Sequence, residues 1–265
     1  MIKFIDSGYN ASHYNMALDE YLLRNSEGFN LCVYGWSVPA ISIGYGQNAA
    51  NEVNISKLQS EGFHLVRRLT GGRAVLHDVE ITYSVTGDIG GVFGETLNDT
   101  YYAIARGLKE TLTDLGVDSE ISKGSARDVR EKSGASLPCF ASTSRHELLV
   151  NNRKIVGSAQ RREKSRFLQH GSLILQNRLD ITEYLNIEGD KRDEYKAILE
   201  RESVTLKEAA CGKDYTYSEL SAAFRTGFSR AFEMETLNIE GCNLDCSALR
   251  ELERRYFSEE WNNPK

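Results

Sequence analysis

Residues 64–85, HLVRRLTGGRAVLHDVEITYSV, hold three short strand-like runs at 64–67, 74–76 and 81–85. A Thr-Gly-Gly turn separates the first two, and a His-Asp step precedes the third. The third run is rich in isoleucine, threonine, tyrosine and valine, as strands favour, and glycine supplies the turn between the first two. Upstream, 2–5, 31–35 and 40–43 read as strands, the last two joined by a turn over 36–39. Residues 13–25 and a stretch near 52–60 read as helices. Downstream, Leu97, Tyr101, Ile104, Ala105, Leu108, Leu112 and Leu115 fall at steps of three and four, which predicts a helix over 97–115 stopped by Gly116. A hairpin follows, with strands at 147–150 and 154–159 and Asn151-Asn152 as its turn, then a strand at 167–175. From about residue 180 the pattern is mainly helical. Thr216-Tyr-Ser-Glu219 forms a capping box ahead of Leu220, Phe224, Phe228 and Phe232, and a last helix covers 246–257. Alternating strands and helices with no clean linker predict an α+β chain: one domain over 1–265, a mixed sheet with flanking helices.

Residues 119–138, SEISKGSARDVREKSGASLP, carry almost no apolar side chains and read as structureless. A stretch of that length inside a compact domain is functional or disordered.

The composition narrows the function class. Of 265 residues, 40% are hydrophobic and 26% charged, ordinary for a globular chain. A net charge of −6 speaks against a nucleic-acid binder, which needs a basic surface. MIKFIDSGYN turns polar after five residues, and no run of about 18 apolar residues follows, so neither an export signal nor a spanning helix is expected. Five cysteines, an odd number, argue for a reducing cytoplasm over a disulfide framework. Cys242 and Cys246 have metal-like spacing but no second pair and no nearby histidine, so no metal site is expected.

Three segments concentrate polar chemistry. In 67–78, Arg67, Arg68 and Arg73 surround Gly71-Gly72 and lead to His77-Asp78. Arginines beside a glycine turn can hold a carboxylate or phosphate; they are equally what a solvated edge turn carries. In 152–162, Lys154 opens a strand whose Gly157-Ser158-Ala159 leave room for a ligand against the backbone, or make a thin edge strand. In 169–172, His170 and Gly171 sit in Gln-His-Gly-Ser, where the histidine can also be a core residue. Cys139 differs from the other cysteines. It follows the polar stretch and precedes Arg145, His146 and Lys154. A folded-back Lys154 ammonium would stabilise its thiolate, the usual route to a nucleophilic cysteine that lacks a histidine base.

Taken in order, these segments resemble the superfamily of lipoate-protein ligases and octanoyltransferases, which shares its fold with biotin protein ligases. The resemblance rests on Arg67-Arg68, Thr70-Gly71-Gly72, His77-Asp78, Thr82-Tyr83-Ser84, Arg153-Lys154, Gly157-Ser158-Ala159-Gln160 and Gln169-His170-Gly171-Ser172. Asn15-Met16-Ala17-Leu18-Asp19-Glu20 and Glu260-Trp261-Asn262 extend it over nearly the whole chain. It implies a mainly antiparallel mixed sheet. Within the superfamily the chain is most similar to the LipM-type octanoyltransferases. Arg73 stands where ligases usually have a third glycine, and Pro138-Cys139-Phe140 precedes Lys154 as the acyl-thioester cysteine does in the transferases. Asn152, Leu76 and His146 depart from the family pattern.

The resemblance implies a two-step reaction. Cys139 takes octanoate from octanoyl-acyl carrier protein, and a lysine of a lipoyl-domain protein, such as glycine cleavage protein H, then takes it from Cys139. Lys154 would assist Cys139, the Gly71–Gly72 turn and 157–159 would line an acyl slot, and His170 with Gly171 would frame the thioester. Arg67, Arg68 and Arg73 would receive acidic partner domains. A monomer is expected, with no membrane partner. No cofactor enters the scheme; ATP and Mg enter only if the chain is a lipoate-protein ligase. Two further readings are an amidotransferase between lipoyl-domain proteins and a non-catalytic binder of acyl-carrier or lipoyl domains.

Overall fold

A computed structural model of the chain describes residues 1–123, 146–239 and 246–263. In chain order the elements are β1 (Ile2–Asn10), α1 (Ser12–Asn25), β2 (Asn30–Trp36), β3 (Ala40–Ile43), α2 (Ala49–Glu52), α3 (Ile55–Ser60), β4 (His64–Arg67), β5 (Val75–His77), β6 (Glu80–Asp88), α4 (Leu97–Asp114), β7 (Glu120–Ile121), β8 (Leu148–Val150), β9 (Arg153–Lys154), β10 (Val156–Glu163), β11 (Arg166–Ile174), α5 (Gly189–Glu202), α6 (Leu206–Ala209), α7 (Tyr217–Phe232), β12 (Thr236–Asn238), α8 (Cys246–Phe257) and α9 (Glu259–Asn262).

The main sheet runs β10-β11-β6-β2-β1-β12. Its first four strands are antiparallel neighbours, while β2–β1 and β1–β12 are parallel. Side chains of β2 alternate between two cores, as the two-residue period of a strand requires. Leu31 and Val33 join the cluster that holds Ile104, Leu108 and Leu112 of α4 and Phe224 and Phe228 of α7. Cys32, Tyr34 and Trp36 join the opposite cluster, with Leu18 and Leu22 of α1 and Leu249 and Tyr256 of α8. Every residue of β2 is buried, because helices cover both faces of the sheet. Smaller sheets, β4-β3-β5 and β7-β8-β9, flank the main one. Among the described residues no helix is long and apolar enough to cross a membrane.

The periodic helix at 97–115 is α4. Thr96 accepts from the Asp99 backbone N–H at 3.1 Å and donates its own N–H to Asp99 Oδ2 at 2.9 Å, so both ends of a capping box are made. Three expectations needed revision. The strand expected over 154–159 is two: β9 ends at Lys154 and pairs with β8, whereas β10 begins at Val156 and pairs with β11. The single helix near 52–60 is two short ones, α2 and α3, because the side chains of Asn48 and Asn54 each cap a new start. Part of the stretch expected to be structureless forms β7, which pairs antiparallel with β8; residues 124–145, with the rest of that stretch, lie outside the described ones. The helical C-terminal part also returns a strand: β12 adds to β1 in parallel.

Candidate active site

The small sheet presents the loop between β4 and β5. Both strands pair with β3, β4 in parallel and β5 antiparallel, so residues 68–74 must pass over the end of β3. Gly72 takes a left-handed φ of 95° there. Its carbonyl lies so close to Gly44 that a Cβ on Gly44 would meet it at 2.1 Å. Arg68 braces the loop from inside: Nη1 donates to Ser42 O at 2.9 Å, and Nη2 donates to Gly71 O at 2.9 Å and Arg73 O at 2.7 Å. Arg67 donates to the carbonyls of Gly44, Tyr45, Gln47, Trp261 and Asn262 at 2.7–3.2 Å. Both side chains are buried. The expectation that Arg67 and Arg68 receive an external acidic partner is therefore corrected, because their donors hold loops in place. Arg73 alone of the three is partly exposed.

Beneath this loop, two histidines stand on a cluster of acceptors. His170 of β11 places Nδ1 2.6 Å from Asp19 Oδ2 and Nε2 2.7 Å from Thr70 Oγ1. Tyr34 donates its hydroxyl to the same Asp19 oxygen at 3.0 Å. Burial, and then Asp19, push the Tyr34 phenol well above its ordinary value, which keeps it a donor. His77 places Nδ1 2.9 Å from Glu80 Oε1 and Nε2 2.7 Å from Ser42 Oγ, and its ring stacks on Trp36 at 3.8 Å. Ser172, Thr82 and the Trp36 indole also donate to Glu80 Oε1. A carboxylate beside Nδ1 fixes the tautomer, so in the neutral ring Nε2 accepts from the hydroxyl. Both Nε2 positions are thereby occupied, by Thr70 and by Ser42. The two histidines brace the site; neither offers a lone pair to a ligand.

Between the two networks lies a narrow slot of about 30 Å³, lined by Met16, Tyr34, Trp36, Arg68, Val75, His77, His170 and the backbone of 157–159 and Gly171, among others. Gly157, Ser158, Ala159, His170, Gly171, Arg68 and His77 of the expected set are thus brought together. Gly71, Gly72, Arg67, Arg73 and Lys154 do not line the slot. The expectation that the Gly71–Gly72 turn is slot wall is corrected: both glycines are exposed on the loop that Arg68 holds. Gly171 is small for a local reason. A Cβ there would meet Gly157 O at 2.4 Å and both Ser158 Oγ and the Tyr83 ring at 2.8 Å. On that face Gln169 donates to Tyr83 Oη at 3.0 Å, and Tyr83 Oη lies 2.8 Å from Ser158 Oγ. Burial pushes the Tyr83 phenol up to about 12.

Lys154 is 2% exposed, and its Nζ lies 2.5 Å from Glu147 Oε1. The β8–β9 hairpin makes the pair: Asn151 and Asn152 turn it with φ of 51° and 62°, and Leu149 faces Lys154 across the ladder. Cys139 lies outside the described residues. So does Cys242, and among the described residues no group of three or more His, Cys, Asp or Glu side chains is placed to hold a metal.

The sequence reading gave no role to Asp19, Ser42, Thr70, Glu80 or Glu147. One signal was available for Asp19: α1 reads as an apolar helix, yet Asp19-Glu20 interrupts it between Leu18 and Leu22, and a charge on a buried stretch needs partners.

The lipoyl protein ligase A/B catalytic domain family matches residues 11–229. Among curated proteins, the octanoyltransferase LipM of Staphylococcus aureus is 36% identical over 98% of this chain and 97% of its own length. That of Geobacillus kaustophilus is 37% identical over the same shares. Among solved structures, a bipartite lipoate protein ligase of Thermoplasma acidophilum superposes with a TM-score of 0.78 at 22% identity, covering 98% of this chain and 95% of that one. A lipoate-protein ligase A bound with ATP gives 0.75 at 22% identity, with 98% and 97% covered. These two likenesses establish the α+β fold and no more.

Proposed function

We propose, for a chain that belongs to the lipoyl protein ligase A/B catalytic domain family, an octanoyltransfer reaction that makes the amide on which protein-bound lipoate is built. The observation that carries this reading is the full-length likeness to octanoyltransferases at 34–37% identity. The site suits it. The slot's polar wall groups satisfy one another and leave a mainly apolar lining, the surface an acyl chain needs; at about 30 Å³ it marks where a chain would enter and must widen to hold an octanoyl group. A buried ammonium held by a carboxylate stands near one end of β10, the strand that walls the slot.

The reaction runs in two steps. The Cys139 thiolate attacks the carbonyl of octanoyl-acyl carrier protein; the C–S bond to the carrier breaks, its sulfur takes up a proton, and the acyl group stays on Cys139. The neutral amine of a lysine on a lipoyl-domain protein, such as glycine cleavage protein H, then attacks. Its proton leaves with the Cys139 thiol, and an amide remains. The first step exchanges one thioester for another; the second is downhill. Cys139 is assigned from the Pro138-Cys139-Phe140 pattern. Lys154, fixed by Glu147, would stabilise the thiolate and the negative charge that develops on the carbonyl oxygen. His170 and His77 would hold the slot walls. No nucleotide enters.

Intact-mass analysis tests this directly. Incubation with octanoyl-acyl carrier protein should add the mass of one octanoyl group to the wild type and nothing to Cys139→Ala. Normal transfer by Cys139→Ala would falsify the relay. Lipoylation from free lipoate that requires ATP would identify a ligase instead.

A further inference from the structure

A second cavity, of about 330 Å³, lies outside the slot. Its walls come from β5, the turn before β6, the segment after β11, and α5. Two features tie it to the site. Val75 lines both the cavity and the slot, so the two spaces meet across one side chain. Ser203, on the cavity's far wall, bridges in parallel to Lys154, and the Lys154 carbonyl accepts from Val204 N at 2.9 Å. An acyl chain that enters the slot past Val75 leaves whatever carries it in this cavity.

The cavity's chemistry selects the carrier. Leu76, Leu179 and Leu199 give it partly exposed apolar walls, while the amide side chains of Gln176 and Asn177 are exposed at its edge. The charges are Arg178 and Lys196 against Asp78, Glu80, Asp180 and Glu200, two cations to four carboxylates. Arg178 pairs with Asp78, and Lys196 with Asp180. A net negative balance disfavours a polyphosphate; a neutral chain of amides and methyl groups suits it. We infer that this cavity seats the pantetheine arm of the acyl donor, its amides against Gln176 and Asn177 and its methyl groups against Leu199. The inference rests on the octanoyltransfer reading and names how the donor is recognised.

The test compares two donors, S-octanoyl-pantetheine and S-octanoyl-2-mercaptoethanol, which carries the same thioester without the arm. The wild type should prefer the first, by kcat/KM, at least about tenfold. Leu199→Trp, which fills the cavity from a wall outside the packed clusters, should cut that ratio by about tenfold. Gln176→Ala with Asn177→Ala, at exposed positions where folding is not at stake, should cut it several-fold. Equal use of both donors by the wild type, or a ratio that neither variant moves, overturns the arm site. That failure is separate from failure of the underlying reading, in which octanoyl-acyl carrier protein itself gives no transfer.

Discussion

The Lys154 ammonium and the Glu147 carboxylate meet at 2.5 Å across a hairpin of seven residues, and both are buried. Each ion has lost most of its water, so each depends on the other. Removing one partner of such a pair costs roughly 3–5 kcal/mol, whereas replacing both by apolar side chains of similar volume can be neutral. Glu147→Ala and Lys154→Met should each lower the urea midpoint strongly. The double variant Lys154→Met with Glu147→Leu should recover most of it. Transfer should not recover in the double variant; if it does, Lys154 has no part in the chemistry.

The Asp19–His170–Thr70 line ends on a buried hydroxyl. Thr70→Val keeps the shape and removes the donor to Nε2. A buried acceptor left without its partner costs about 1–3 kcal/mol. Chemical denaturation should show that loss. In the wild type, ¹⁵N spectra of the His170 ring should report a protonated Nδ1 and a bare Nε2; the reverse would refute the network as drawn.

Gly171 has no room for a methyl group, since Gly157 O, Ser158 Oγ and Tyr83 converge on it. Gly171→Ala should displace β10 from β11, cost about 1–3 kcal/mol, and raise KM for the acyl donor, because β10 is slot wall. A variant as stable and as active as wild type would show that the two strands give way without harm.

Tyr83 gives a pH dependence with a defined sign. Burial raises its phenol from 10 to about 12, so the folded state holds the proton more tightly than the unfolded one. Its contribution is whole below pH 10 and is lost as pH rises from 10 toward 12. The loss approaches roughly 2–3 kcal/mol for this one group. Urea midpoints measured from pH 8 to 11 should fall more steeply for wild type than for Tyr83→Phe. Parallel slopes would mean that Tyr83 ionises as it does in water.

Much of the fold can be read from local pattern because local causes set it. The α4 face repeats at helical spacing, its start carries both halves of a capping box, and Gly116 takes the positive φ that ends it. Asn151-Asn152 announces a tight turn for a similar reason. The helix broken at Val53-Asn54 was missed because apolar spacing continues across a break that only the Asn54 cap reveals. The site was harder. The glycine and histidine of 169–172 were legible, but their purpose depends on Asp19, 151 residues away along the chain from His170. Arg67 and Arg68 look like anion binders on paper because sequence records a cation and not the carbonyls it faces. Those carbonyls belong to residues as distant as Trp261 and Asn262.

That last contact also fixes an order of events during synthesis. Arg67 N donates to Asn262 Oδ1, and Trp261 donates its indole N–H to Arg67 O, so strand β4 is clamped by residues made almost 200 positions later. A ribosome-bound chain that has yet to release Asn262 holds β4, and with it the loop that roofs the slot, without this clamp. Acyl-transfer competence should therefore arise only after release of the C-terminal helices, whatever part of the sheet has already formed.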